Sequence, residues 1–212
     1  MSEKIAKEIK NLKEKEIPVY SVMGEMAASG GYYVSAPTDR IYASAETLTG
    51  SIGVIMQMYS LEGLFEKYGI KEQSITSGKM KDAGSPGRDL SEKEEKYFQD
   101  LIDRAYERFV KLVADGRGMS EKDVKKIADG RVYDGSQALE NGLVDKIGDL
   151  DTAIDDLTKE NDLNDPMVVS TSNLQRSFMS YFQKAKDFRQ DSSDLAIIKE
   201  FMEKNTLSPM YL

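Results

Sequence analysis

Histidine and cysteine are both absent from this chain of 212 residues, and each absence removes a class of chemistry. Without histidine there can be no Ser-His-Asp triad and no histidine metal cluster. Without cysteine there is neither a thiol nucleophile nor a disulfide. A serine nucleophile in this chain has to hand its proton to Lys, Asp or Glu, and a lysine can take it when burial keeps the amine neutral. Basic character is lacking too. Lys and Arg number 29 against 37 Asp and Glu, a formal charge of -8, which argues against the basic face that nucleic-acid binding requires. No run approaches the roughly eighteen apolar residues of a membrane span, and no signal-peptide pattern opens the chain. The missing cysteines leave the compartment open. What remains is ordinary for a soluble globular protein: 40% hydrophobic and 31% charged residues. The length suits one good-sized domain with a tail, or two small ones.

Within that composition one stretch stands out, Gly24-Glu25-Met26-Ala27-Ala28-Ser29-Gly30-Gly31-Tyr32-Tyr33-Val34-Ser35-Ala36. It follows a strand-like run, Pro18 to Met23, and then turns helical, with Tyr32, Tyr33 and Ala36 at a spacing of three to four. Ser29 sits where strand becomes helix, between residues too small to shield it. Two glycines at a helix start cost about 1 kcal/mol each relative to alanine. A chemical reason for them is close approach of the backbone to a ligand, with outward amides ready to hold a negative oxygen. The plainer reason is tight packing of two elements, and the motif alone does not separate the two.

Along the chain, Ser2 to Lys15 reads as an amphipathic helix with Ile5, Ile9 and Leu12 on one face. Arg40–Ala43 is a short strand, and Thr47 to Met56 a small-residue turn entering an apolar segment. Leu61 to Tyr68 reads as a short helix stopped by Gly69, and Ile70 to Thr76 as a strand. A Gly/Ser/Pro-rich loop follows, Ser77-Gly78-Lys79-Met80-Lys81-Asp82-Ala83-Gly84-Ser85-Pro86-Gly87-Arg88, placed where α/β folds tend to put chemistry. Ser91-Glu92-Lys93-Glu94 resembles a capping box. It opens a helix whose wide apolar stripe from Tyr97 to Val113 reads as core or subunit interface. Ser120 caps a short helix, Gly130–Tyr133 is a short strand, and helices cover Ser136–Asn141 and Leu150–Thr158. The alternation predicts α/β layering with largely parallel strands. From Asn161 the character changes to a linker, a short strand Met167–Val169, two amphipathic segments around Phe178–Phe188 and Leu195–Met202, and an apolar tail from Leu207 to Leu212.

Four motifs taken in order resemble the signal peptide peptidase A family. They are Met26 to Tyr33, Thr47 to Val54, Ser77-Gly78-Lys79-Met80-Lys81-Asp82 with Ser85-Pro86, and Gly130 to Gly135 followed by Ala138 and Gly142–Asp145. The resemblance covers roughly residues 1–160. It implies a Clp-protease/crotonase-like fold of stacked ββα units. The expected domains are an α/β peptidase core over 1–160, lacking the family's N-terminal strands, and a C-terminal extension over 161–212. The implied activity is serine endopeptidase cleavage of remnant signal peptides by a Ser/Lys dyad. Ser29 matches the nucleophile, Lys81 the general base, and Gly30 the residue whose amide lines the oxyanion hole. Ser51 matches a hydroxyl placed near the lysine amine. Spacing does not separate Lys79 from Lys81; the family pattern of Lys-Asp followed by Ser-Pro selects Lys81.

The resemblance also implies peptide substrates, no metal or cofactor, no nucleic-acid partner, and a ring- or dome-shaped homo-oligomer. It places the protein at the outer face of the bacterial cell membrane, held by an anchor outside this chain. Two other readings stand beside it: an acyl-CoA-handling enzyme of the same fold, and a non-catalytic scaffold or inhibitor. The first calls for a basic cluster to hold nucleotide phosphates, and the sequence shows none.

Overall fold

The computed structural model describes residues 1–169. The chain divides into two compact units, the first built from Met1–Glu160 and the second beginning at Asn161. In the first unit the elements run α1 (Ser2–Lys13), β1 (Tyr20–Val22), β2 (Met26–Ala28), α2 (Gly30–Ser35), β3 (Arg40–Ala43) and β4 (Leu48–Gly50). They continue with α3 (Glu62–Tyr68), α4 (Glu92–Arg117), α5 (Glu121–Ile127), β5 (Val132–Tyr133), α6 (Gly135–Glu140), β6 (Lys146–Ile147) and α7 (Leu150–Glu160).

The strands form two small sheets of three, β1-β3-β6 and β2-β4-β5. All pairings are parallel except that between β4 and β5. Successive strands alternate between the sheets: β1 joins the first and β2 the second before α2, then β3 joins the first and β4 the second. Stacked strand–strand–helix passes of this kind are the expected α/β architecture. The run from Pro18 into the turn is thus two strands rather than one. The bend between them is fixed from both sides, by Met23 N–H donating to Tyr42 O (2.8 Å) and Leu48 N–H donating to Glu25 O (2.9 Å).

Helix α4 organises the core because its apolar residues recur at helical spacing. Phe98, Ala105, Phe109, Val110 and Val113 are buried along it. Phe109, Val110 and Val113 join Tyr32, Ile41, Ala43, Ile52, Val124, Leu143 and Val144 in one cluster. A buried Tyr32 needs a partner for its hydroxyl, and it donates to Leu143 O at 3.0 Å. Burial pushes that phenol well above its ordinary range, so it stays a neutral donor. Near its end α4 runs hard against the chain leaving α2. A Cβ at Gly116 would lie 2.1 Å from Ala36 O, so only glycine allows the crossing. One residue on, Arg117 forks onto Asp145 (Nη1 to Oδ2 2.9 Å, Nη2 to Oδ1 2.7 Å) and donates from Nε to Gly142 O (3.0 Å). Asp145 also accepts from Ile41 N–H at 2.7 Å. That one carboxylate ties α4 to the first sheet.

Two predicted strands are not present. Ile70–Thr76 has no regular structure, and each of its seven residues is exposed. Met167–Val169 is likewise irregular and exposed. Both have β-prone residues but no neighbouring strand, and an isolated strand leaves its backbone groups unpaired. The helical segments expected around Phe178–Phe188 and Leu195–Met202, and the tail 207–212, lie outside the described residues. Among the described residues no helix is long and apolar enough to cross a membrane.

Candidate active site

The two sheets matter functionally because β2 and β4 run side by side and end together. Ala28 and Gly50 are register partners, so Ser29 and Ser51 leave neighbouring parallel strands at their carboxyl ends. Adjacent strands lie about 4.8 Å apart, and ligands of open α/β sheets gather at that end.

Ser29 is held in a conformation that serine does not choose. Its φ is 50° and its ψ −110°, a left-handed φ far from the left-handed helical well. The backbone around it enforces this. Ser29 N–H donates to Gly50 O and Tyr33 N–H donates to Ser29 O, both at 2.8 Å. Ser29 stands at the N-cap of α2, a position where serine ordinarily caps, yet its side chain makes no capping bond. Among the described residues its hydroxyl has no hydrogen-bond partner. Strain kept at a residue whose hydroxyl is left free points to chemistry. Gly30 is the first residue of α2, and a first-turn amide has no partner inside its own helix.

Ser51 shares the peculiarity with a φ of 48°. Its N–H donates to Arg131 O at 2.8 Å. Gly50 between the strands has a φ of +75°, and a Cβ there would sit 2.7 Å from the ring of Tyr133. The Tyr133 hydroxyl donates to Ile127 O at 2.9 Å, which fixes the ring. The Thr-Gly-Ser and Gly-Arg-Val-Tyr stretches are therefore two halves of one antiparallel pairing, β4 against β5. Their contact was not legible from sequence spacing. Beside Ser29 the second sheet turns an apolar face outward: Met26, Leu48 and Val132 are 68%, 42% and 49% exposed.

The structure brings Ser29, Gly30 and Ser51 together, but it leaves both candidate lysines on the surface. Lys79 and Lys81 are exposed, and neither amine has a hydrogen bond or ion pair among the described residues. The loop carrying them is nonetheless structured. Lys81 N–H donates to Gly78 O (3.0 Å), Ser85 N–H to Asp82 O (3.1 Å) and Leu61 N–H to Pro86 O (2.7 Å). It ends at Arg88, whose guanidinium grips Glu94 (Nη2 to Oε1 2.6 Å, Nη1 to Oε2 2.8 Å). Glu94 is the one charged residue among the buried polar side chains described. Arg88, then the Ser91 backbone and hydroxyl, hold its carboxyl far below the usual carboxylate range. The capping box was readable in the sequence; the Arg88 fork was not.

A serine at positive φ on a strand-to-helix junction, beside the ends of parallel strands, sits in an α/β protein of stacked strand–strand–helix passes. More specifically, the chain belongs to peptidase family S49, whose family model matches residues 11–164. It is 43% identical over 217 residues to an Enterococcus faecium protein named "Putative signal peptide peptidase SppA", covering 99% of this chain. It is 38% identical over 155 residues to Protease 4 of Haemophilus influenzae, covering 72% of this chain. The chain spans 63% of the length of the first relative and 25% of the second. Among solved structures, ClpP1 from Listeria monocytogenes is similar at a TM-score of 0.40 and 20% identity, over 70% of this chain and 65% of that one.

Proposed function

We propose that this chain is the catalytic core of a serine endopeptidase that cleaves remnant signal peptides through a Ser29/Lys81 dyad. The observation that carries the reading is the strained, uncapped Ser29 in a chain of a peptidase family without a histidine to serve as base. Ser29 Oγ attacks the peptide carbonyl carbon while the neutral Lys81 amine takes the hydroxyl proton. The resulting oxyanion accepts from Gly30 N–H. Lys81 then returns the proton to the leaving amine, and the C–N bond breaks to give an acyl-enzyme. Water attacks the ester with Lys81 again as base, releasing the acid and restoring Ser29. The Ser51 hydroxyl orients the amine without adding charge. The outward apolar face of Met26, Leu48 and Val132 suits the extended, apolar chains left by signal-peptide removal, and the name of the Enterococcus relative points the same way.

Lys81 lies in water here, and a lysine base needs desolvation. We therefore infer a homo-oligomer, a ring or dome, in which a second copy covers the Lys81 loop. By family resemblance it stands at the outer face of the bacterial membrane. The test uses the full-length protein with a fluorophosphonate probe and an apolar fluorogenic peptide. Ser29 should label, and Ser29→Ala and Lys81→Ala should each abolish hydrolysis, because members of a unit fail together. Lys79→Ala should keep most activity and Ser51→Ala a weak remainder. Activity that survives in Lys81→Ala and vanishes in Lys79→Ala would give the base role to the other lysine. Acyl-CoA turnover without peptidase activity would support the acyl-CoA reading instead.

A further inference from the structure

Arg88 and Glu94 do no work in the reaction just described, yet Glu94 is 3% exposed. Burying a carboxylate is costly unless it is paired and its oxygens are satisfied. Four donors converge on it: Arg88 Nη1 (2.8 Å) and Nη2 (2.6 Å), Ser91 N–H (2.9 Å) and the Ser91 hydroxyl (2.7 Å). Of these four, a capping box needs only the Ser91 N–H. The guanidinium is the addition, and it reaches back along the loop. Its Nη2 lies 3.4 Å from Asp82 O and 3.7 Å from Asp82 Oδ2, and Nη1 also donates to Asp89 O at 3.2 Å. Asp82 directly follows Lys81. Its carbonyl is the same one that accepts from Ser85 N–H, so the turn after the lysine closes on an oxygen that the guanidinium also holds. The second residue after Asp82 comes close to Phe98 of α4. Ala83 is buried, and Gly84, at φ +80°, sits where a Cβ would lie 3.5 Å from the Phe98 ring.

We infer that the Arg88–Glu94 fork is a positioning device for the catalytic lysine, locking the Lys81-Asp82 segment to the first turn of α4. This rests on Lys81 being the base. A bidentate guanidinium–carboxylate pair fixes direction as well as distance. Anchored on the buried Glu94 in the first turn of a 26-residue helix, it gives an otherwise solvent-facing loop a rigid reference. A misplacement of about 1 Å at a reacting group can cost on the order of 100-fold in rate. Loss of the fork should therefore appear in the chemical step and not in substrate binding.

The experiment compares Arg88→Ala, Glu94→Gln and Lys81→Ala in the full-length protein. It measures kcat and KM on an apolar fluorogenic peptide, the rate of Ser29 labelling by a fluorophosphonate probe, and Tm. Arg88→Ala should lower kcat at least tenfold with KM within twofold, slow Ser29 labelling by a similar factor, and recover part of the rate on addition of guanidinium at millimolar concentration. Glu94→Gln should lower kcat in the same direction without guanidinium rescue, because its Arg88 is still present. If Arg88→Ala keeps kcat within twofold while Lys81→Ala is inactive, the positioning role is wrong and the dyad stands. If Lys81→Ala itself labels and turns over normally, the dyad is wrong and this inference falls with it. A drop in Arg88→Ala that tracks its loss of folded protein at the assay temperature, with no guanidinium rescue, would reduce the fork to a structural brace.

Discussion

Replacing Ser29 with glycine rather than alanine tests whether its backbone is strained. Both substitutions remove the hydroxyl, which has no partner among the described residues, so the loss of that group cancels between them. The variants differ in the backbone. At φ 50° and ψ −110° an alanine keeps a strain of about 1–3 kcal/mol. Glycine relieves it but gives up about 0.5–1 kcal/mol more chain entropy on folding. Subtracting the two, Ser29→Gly should be the more stable by roughly 0–2.5 kcal/mol, with about 1 kcal/mol as the central expectation. For a chain of this size that is a Tm higher by about 2–4 °C. Ser35, six residues on in α2 and buried, supplies the opposite control, since glycine in a helix is worse than alanine by about 1 kcal/mol. Urea unfolding of the four variants, followed by tryptophan-independent far-ultraviolet circular dichroism, gives the comparison. A Ser29→Gly protein clearly less stable than Ser29→Ala, with the Ser35 pair behaving as expected, would refute the claim of stored strain.

Two further expectations follow from the packing and the exposed lysine. Burial raises the Asp145 carboxyl, but the Arg117 fork and the Ile41 N–H outweigh it, leaving the group below its ordinary value. A depressed carboxylate contributes stability that is present above its unfolded value of about 3.9 and is lost as pH falls through the folded value. Asp145→Asn should thus cost on the order of 3 kcal/mol at neutral pH, by stranding Arg117, whose side chain is 7% exposed. It should also flatten the acid limb of the stability curve below about pH 4; an unchanged acid limb would show that the pair is not the titrating element. Separately, if a second copy completes the site across a subunit boundary, mixing Ser29→Ala with Lys81→Ala protein should restore activity. No recovery under proven subunit exchange would place both residues of each site in one chain.

Much of this protein was determined by its sequence read alone. The missing histidines and cysteines left a serine with a lysine, Asp or Glu for its base, and that elimination needs no coordinates. Helical periodicity placed α1 and α4, because a 3.6-residue repeat is a local property of the chain. The capping residues Ser91 and Ser120 act within three residues of themselves, as the bonds to Glu94 N–H and Asp123 N–H show. Ordered motifs then singled out Ser29, Gly30, Ser51 and Lys81.

The tertiary structure decided what depends on partners far apart in the chain. Ile70–Thr76 has strand-like residues and forms no strand, since pairing requires a neighbour that the sequence does not display. β2 and β6 emerged from runs too short to read, each defined only by the strand beside it. The positive φ of Ser29 and Ser51 is imposed by the bonds to Gly50 O and Arg131 O, one from the adjacent strand and the other from a segment eighty residues on. Likewise Arg88 reads as one more loop cation until folding turns its guanidinium onto a buried carboxylate. A periodicity can announce which face of a helix is apolar, but which backbone is strained and which charge is gripped depends on where distant chain segments meet.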